Sequence, residues 1–237
     1  VNTVAFSAEH VVPIPAHIIR ANRALLASVP RWLEREVWAA GVAHYGMPEG
    51  AWEWMDLPID DTPCIADLLC ALLYHHPGNY LEIGVSAGKC FAQVQRYAVP
   101  MDAHCVGIDV EALNPVLEQL LAGTPYTYVH GSAYEAATWD RVPGPFSVIY
   151  SDALHEAGAL LEEYRQLERC RLFDPAGFAY VFDDLGGGPN PMVGAVQEVA
   201  ARLEGAGWHC RLHFEACNGW VGQHEPPHGV GTILGHR

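Results

Sequence analysis

At 237 residues and 50% hydrophobic composition, the chain is long enough to bury one large core, within the range of a single α/β domain. A formal net charge of −15, from 13 Lys+Arg against 28 Asp+Glu, lacks the clustered cations that a polyphosphate backbone needs, so nucleic acid is not expected as a partner. Seven scattered cysteines form no CxxC pair, and no run has the length of a membrane span or the pattern of a secretory leader, which fits a soluble, cytoplasmic protein away from membranes.

Residues 1–60 carry Trp32, Trp38, Trp52 and Trp54 among helix-like segments. Ile18, Ala21 and Leu25 recur at helical spacing, and so do Leu33, Val37 and Gly41. The pattern predicts a helical N-terminal appendage that packs on the main domain, or serves as a lid or as the contact surface of a homo-oligomer.

From residue 61 to 237, short β-branched or aromatic runs alternate with helical stretches. Strands are expected over 80–83, 104–109, 127–130, 147–152 and 178–182, and helices near 62–75, 88–98, 112–122, 158–172 and 191–205. This alternation predicts a doubly wound, mainly parallel sheet with helices on both faces. Its strands' carboxyl ends share one edge, where ligands of open α/β sheets bind. Two further strand-like runs, 208–216 and 219–224, flank Cys217-Asn218-Gly219, and Asn-Gly is a strong hairpin signal. They bring the sheet to seven strands and end it in an antiparallel hairpin, whereas nicotinamide-binding folds continue in parallel.

The segment Tyr80-Leu-Glu-Ile-Gly-Val-Ser-Ala-Gly88 contains Glu82-x-Gly84-x-x-x-Gly88 after an apolar strand and at the start of a helix, the context a nucleotide-binding turn requires. With 28 acidic residues and 23 glycines in the chain, random placement yields such a string in roughly a quarter of chains of this composition, so it needs a second feature. Asp109 supplies one: it ends the next strand, 27 residues after Glu82, where a carboxylate can accept from both hydroxyls of a ribose. Gly84 lets the backbone approach a ligand without a Cβ, and Glu82 is expected to face the positive amino end of that ligand. On this reading Gly84→Val abolishes ligand binding and leaves the fold intact.

These residues resemble the S-adenosylmethionine-binding methyltransferases of class I, whose first motif is an acidic residue, a Gly, and another Gly four positions later. The likeness covers about residues 60–224. It implies a Rossmann-like fold with a terminal hairpin, S-adenosylmethionine (SAM) as cofactor, and contacts from Glu82, Gly84, Ser86, Gly88, Asp109 and, at the adenine, Ser132 of His130-Gly-Ser132-Ala. The family often carries Asp where this chain has Ser132.

Two motifs lie at the expected carboxyl ends of strands four and five, Ser151-Asp152-Ala-Leu-His155-Glu156 and Phe182-Asp183-Asp184-Leu-Gly. Three carboxylates converging there repel one another unless a cation neutralises them, and oxygen-only ligands suit Mg²⁺ or another hard divalent ion. Gly177-Phe-Ala-Tyr-Val-Phe-Asp183-Asp184, followed by Gly194-Ala-Val-x-Glu198, is similar to metal-dependent O-methyltransferases of the macrocin type, close to the catechol type. The resemblance implies Asp152, Asp183 and Asp184 as metal ligands, His155 as general base with Asp152 beside it, and a hydroxyl on a sugar or other secondary metabolite as acceptor. Relatives often have a second acid two residues after the first, where this chain has Leu154, so a four-carboxylate site is not supported.

Three other readings remain open: a metal-independent N- or O-methyltransferase, a nicotinamide-dependent oxidoreductase and a catalytically silent partner subunit. The nicotinamide fingerprint needs three glycines as GxGxxG, and Ser86 occupies the second. Most of the other histidines belong to no cluster. His75-His76 is expected to cap a helix, and His209 and His213 lie on one strand about 13 Å apart, too far to share a ligand.

Overall fold

In the computed structural model, residues 4–28, 63–86, 88–113, 115–186, 190–217 and 228–237 are described. Five short apolar runs form the parallel strands β1 (Tyr80–Ile83), β2 (Cys105–Asp109), β3 (Tyr126–His130), β4 (Val148–Ser151) and β5 (Phe178–Phe182). β6 (His209–Cys217) and β7 (His228–His236) close the sheet, whose order is β3-β2-β1-β4-β5-β7-β6. β7 runs antiparallel to both neighbours. The order reverses beside β1, so the carboxyl ends of β1, β2 and β4 flank a crevice at the topological switch point.

Strands buried on both faces are apolar at most positions, and β1, β4 and β5 are buried throughout, with Glu82 and Ser151 the polar exceptions. Alternate residues serve opposite cores. Leu81, Ile83, Ile149, Tyr180 and Phe182 meet helices α5 (Ala136–Trp139), α6 (Ala157–Arg169) and α7 (Pro191–Gly205). Tyr80, Val148, Tyr150 and Val181 meet α1 (Ala16–Ser28), α2 (Ile65–His75), α3 (Lys89–Ala98) and α4 (Pro115–Leu120). This period of two decides the site: Tyr80, Glu82, Tyr150 and Asp152 share the second face.

Several expectations are corrected. In α1 the buried positions are Ile18, Ile19, Asn22 and Leu26, while Ala21 is exposed and Leu25 only partly covered. The face is turned because the fully buried Asp67 requires donors. Asn22 Nδ2 and Arg23 Nη2 each donate to it at 2.8 Å, and it accepts the Cys64 N–H at 3.0 Å at the start of α2. Residues 4–15, before α1, are not helical: Ser7 bridges β6, its N–H donating to the Phe214 carbonyl at 2.9 Å. The helix expected over 112–122 is shortened to α4, with Pro115 in its first turn.

The partner of β6 is residues 228–236, further along than the run expected at 219–224. That run and the Asn-Gly turn lie outside the described residues, as do the four tryptophans at 32–54 and the Leu33, Val37 and Gly41 stripe. Among the described residues no helix is long and apolar enough to cross a membrane.

Candidate active site

β1 ends between two neighbours that hold it by backbone hydrogen bonds. Gly84 N–H donates to the Ile108 carbonyl at 2.9 Å, and Asp152 N–H donates to the Ile83 carbonyl at 2.8 Å. The loop that follows takes left-handed backbone at Gly84 (φ +89°), Ser86 (φ +51°) and Gly88 (φ +78°). Gly84 is demanded by the protein itself: a Cβ there would fall 2.2 Å from the Asp152 carbonyl oxygen and 2.7 Å from Ala153 Cα. The expectation that Gly84→Val spares the fold is thus overturned, since the side chain would enter the end of β4 before meeting any ligand. Gly88 opens α3, and a Cβ on it would meet the side chain of Leu117 at 2.2 Å.

Asp109 joins this loop to the next. Its Oδ2 accepts the Ser86 N–H at 2.7 Å and its Oδ1 accepts the Glu111 N–H at 2.9 Å. Each carboxylate oxygen keeps a lone pair for a ligand hydroxyl. Beside it lies a cavity of about 310 Å³ at the carboxyl ends of the strands, lined by Gly84, Ser86, Asp109, Gly131, Tyr134 and Asp152 among others. Its volume suits a small-molecule cofactor.

Two expected contacts are set back from that cavity. Glu82 is 1% exposed and accepts the Tyr80 hydroxyl at 2.5 Å beneath the loop; burial pushes its carboxyl well above the usual range. Ser132 Oγ accepts the Tyr134 N–H at 3.2 Å and closes the turn after β3, while its neighbours Gly131, Ala133 and Tyr134 line the wall. Val110 and Tyr134 line the cavity and were missed in the sequence. Val110 directly follows Asp109, the signal by which it could have been found, and is 58% exposed.

The acidic motifs do meet at the same edge. Tyr150, two residues before Asp152 on the same strand face, donates its hydroxyl to Asp183 at 2.7 Å and lies 3.2 Å from Asp152 Oδ2. His155 Nε2 is 3.2 Å from Asp152 Oδ1, and its Nδ1 is 2.7 Å from Oδ2 of Asp184, a residue with φ +54°. Burial, with Asp183 adding repulsion, pushes the Asp152 carboxyl up to about 7. The hydrogen bonds to Asp152 and Asp184 push His155 up to about 10, so it keeps its proton at neutral pH and is not a free base there. On the opposite face of β4, Ser151 donates to the buried Glu163 at 2.6 Å.

This arrangement does not fit the expected divalent ion. Asp152 and Asp184 hold the ring of His155, Asp183 takes the Tyr150 hydroxyl, and among the described residues no three His, Cys, Asp or Glu side chains converge as a metal cage. His209 and His213 are indeed apart. His209 lies against His236 with ring centroids 5.5 Å apart, and His213 Nε2 sits 3.0 Å from the Glu9 carbonyl.

No protein-family model and no curated protein matches the chain. Solved structures do. The O-methyltransferase TomG from Streptomyces achromogenes, involved in tomaymycin synthesis and solved with SAM, is 16% identical, with 96% of this chain and 92% of that one covered at a TM-score of 0.55. The Podospora anserina methyltransferase PaMTH1, bound to S-adenosylhomocysteine (SAH), is 13% identical over 98% of both chains, at 0.54. Cofactor-bound Rv0187 from MTB is 19% identical over 84% of this chain and 88% of that one, at 0.51. Together with the strand order and the antiparallel β7, these likenesses establish the seven-stranded Rossmann-like methyltransferase fold.

Proposed function

We propose that the chain is a SAM-dependent methyltransferase acting on a hydroxyl of a small molecule. The observation that carries this reading is the cavity where the Gly84–Gly88 loop, Asp109 and Asp152 meet at the switch point of a methyltransferase fold. The antiparallel β7 and Ser86 in place of a second glycine weigh against a nicotinamide cofactor. The SAM and SAH bound to TomG and PaMTH1 support the choice of cofactor.

SAM, when bound, supplies an electrophilic methyl group on a sulfonium. The chain's own residues do the rest. Asp109 accepts ribose hydroxyls on lone pairs that Ser86 and Glu111 leave open, and those two N–H groups keep the carboxylate fixed. Asp152 lines the cavity, and a carboxyl near 7 is matched to taking a hydroxyl proton at neutral pH, a contribution of about 10²–10⁴-fold. His155 holds Asp152 in orientation, which moves the base role from the histidine to the carboxylate. No step runs through a metal. The acidic surface disfavours anionic acceptors, which leaves the neutral or cationic hydroxyl compounds that include sugars and secondary metabolites.

Calorimetry with SAH tests the reading. Wild type is expected to bind SAH and not NAD, and Asp109→Asn to lose about tenfold in affinity, or ~1.4 kcal/mol, while remaining folded. Undiminished SAH binding in Asp109→Asn, or binding of NAD in its place, refutes it.

A further inference from the structure

We infer that the chain completes its acidic site with the imidazole of His155, set between Asp152 and Asp184 where a divalent cation would need to stand. Nδ1 lies 2.7 Å from Asp184 Oδ2 and Nε2 lies 3.2 Å from Asp152 Oδ1. Each ring nitrogen thus faces one carboxylate oxygen at hydrogen-bond distance, and the imidazole fills the space through which the two acids would otherwise share a ligand.

The rest of the donor set agrees. Asp183 is 3% exposed and takes the Tyr150 hydroxyl at 2.7 Å. Leu154, one residue before the histidine, is 49% exposed and brings no oxygen. A hard divalent ion demands about six oxygen ligands at close range, and here two of the three carboxylates already hold the ring. For an ion to enter, His155 has to leave. The histidine is thus a positioning residue: it fixes Asp152 at the wall of the cavity and keeps Asp184 in its left-handed backbone.

The inference deepens the methyltransferase reading and rests on it for the site's role, but its test does not require SAM. The full chain is stripped with EDTA, desalted and titrated with Mn²⁺, and the free ion is followed by its paramagnetic resonance signal. Wild type is expected to take up no more Mn²⁺ than Asp152→Asn does. His155→Ala, which takes the ring away from both carboxylates, should bind it roughly tenfold or more tightly than wild type. His155→Lys, which restores a cation, should lose that gain.

Uptake by wild type equal to that of His155→Ala overturns the inference, as does a folded His155→Ala that gains none. If His155→Ala does not fold, ¹⁵N spectra of the wild-type histidine rings decide. His155 ring signals that Mg²⁺ leaves unchanged support the inference; a shift of those signals on adding Mg²⁺ overturns it. SAH calorimetry on the same samples separates the two claims, because wild type that binds neither SAH nor Mn²⁺ refutes the methyltransferase reading and leaves the histidine in place.

Discussion

Replacing Gly84 with alanine puts a single methyl group where the backbone of β4's end already stands. The new Cβ would lie 2.2 Å from the Asp152 carbonyl oxygen, against a normal carbon–oxygen contact of about 3.3 Å, so one backbone must move by about 1 Å. The φ of +89° adds about 1–2 kcal/mol for any residue with a Cβ. Movement there also strains the Asp152-to-Ile83 and Gly84-to-Ile108 backbone hydrogen bonds, each worth about 1 kcal/mol. The expected total is about 3–4 kcal/mol, which for a domain of this size lowers the melting temperature by roughly 6–16 °C. SAH affinity should fall as well, since Asp152 and the loop line the same cavity. Urea denaturation and calorimetry measure the two effects. An alanine variant with wild-type stability but no SAH binding would show that the glycine serves the ligand alone, and would refute the packing argument.

Other perturbations act on buried polar groups. Glu163 has its carboxyl pushed up to about 7 by burial, against 4.5 in the unfolded chain, so its ionisation favours unfolding as pH rises between those values. Stability that this group allows below pH 4.5 is lost by up to about 3 kcal/mol by pH 7. Glu163→Gln should match wild type near pH 4.5 and exceed it above pH 7 in urea denaturation; equal curves at both pH values would count against a raised carboxyl. Tyr150→Phe removes the hydroxyl shared by Asp183 and Asp152 and should cost about 1–3 kcal/mol in the same assay, while SAH affinity changes less than about twofold. A variant as stable as wild type would mean that the hydroxyl contributes nothing to holding the acids.

Much of the frame was legible in the sequence because it rests on local chemistry. Alternating apolar runs and helical stretches announced the doubly wound sheet, and strands buried on both faces are apolar almost throughout, as β5 is at every position and β1 is except at Glu82. Asp109 and the glycines declared the loop, since positive φ and a carboxylate that accepts two backbone N–H groups tolerate few residue types. Even the meeting of Asp152, His155, Asp183 and Asp184 followed from counting strands, because parallel strands with right-handed crossovers bring their carboxyl ends to one edge.

What only the tertiary structure decided is which group each of those side chains faces. Glu82 looked like a ligand contact, yet a carboxyl beneath a closed loop is buried with Tyr80, a partner two residues away on the same strand face. Gly84 looked open toward a ligand, yet the space beside it belongs to β4, a strand more than sixty residues later. The turned face of α1 was hidden because the donors on Asn22 and Arg23 answer the buried Asp67, which lies on another helix. The two acidic motifs at strand ends raised the expectation of a cation, and only distance showed His155 lying between two of the acids. Charge balance is written in residue types, while the partner that satisfies it is set by a few ångströms of packing.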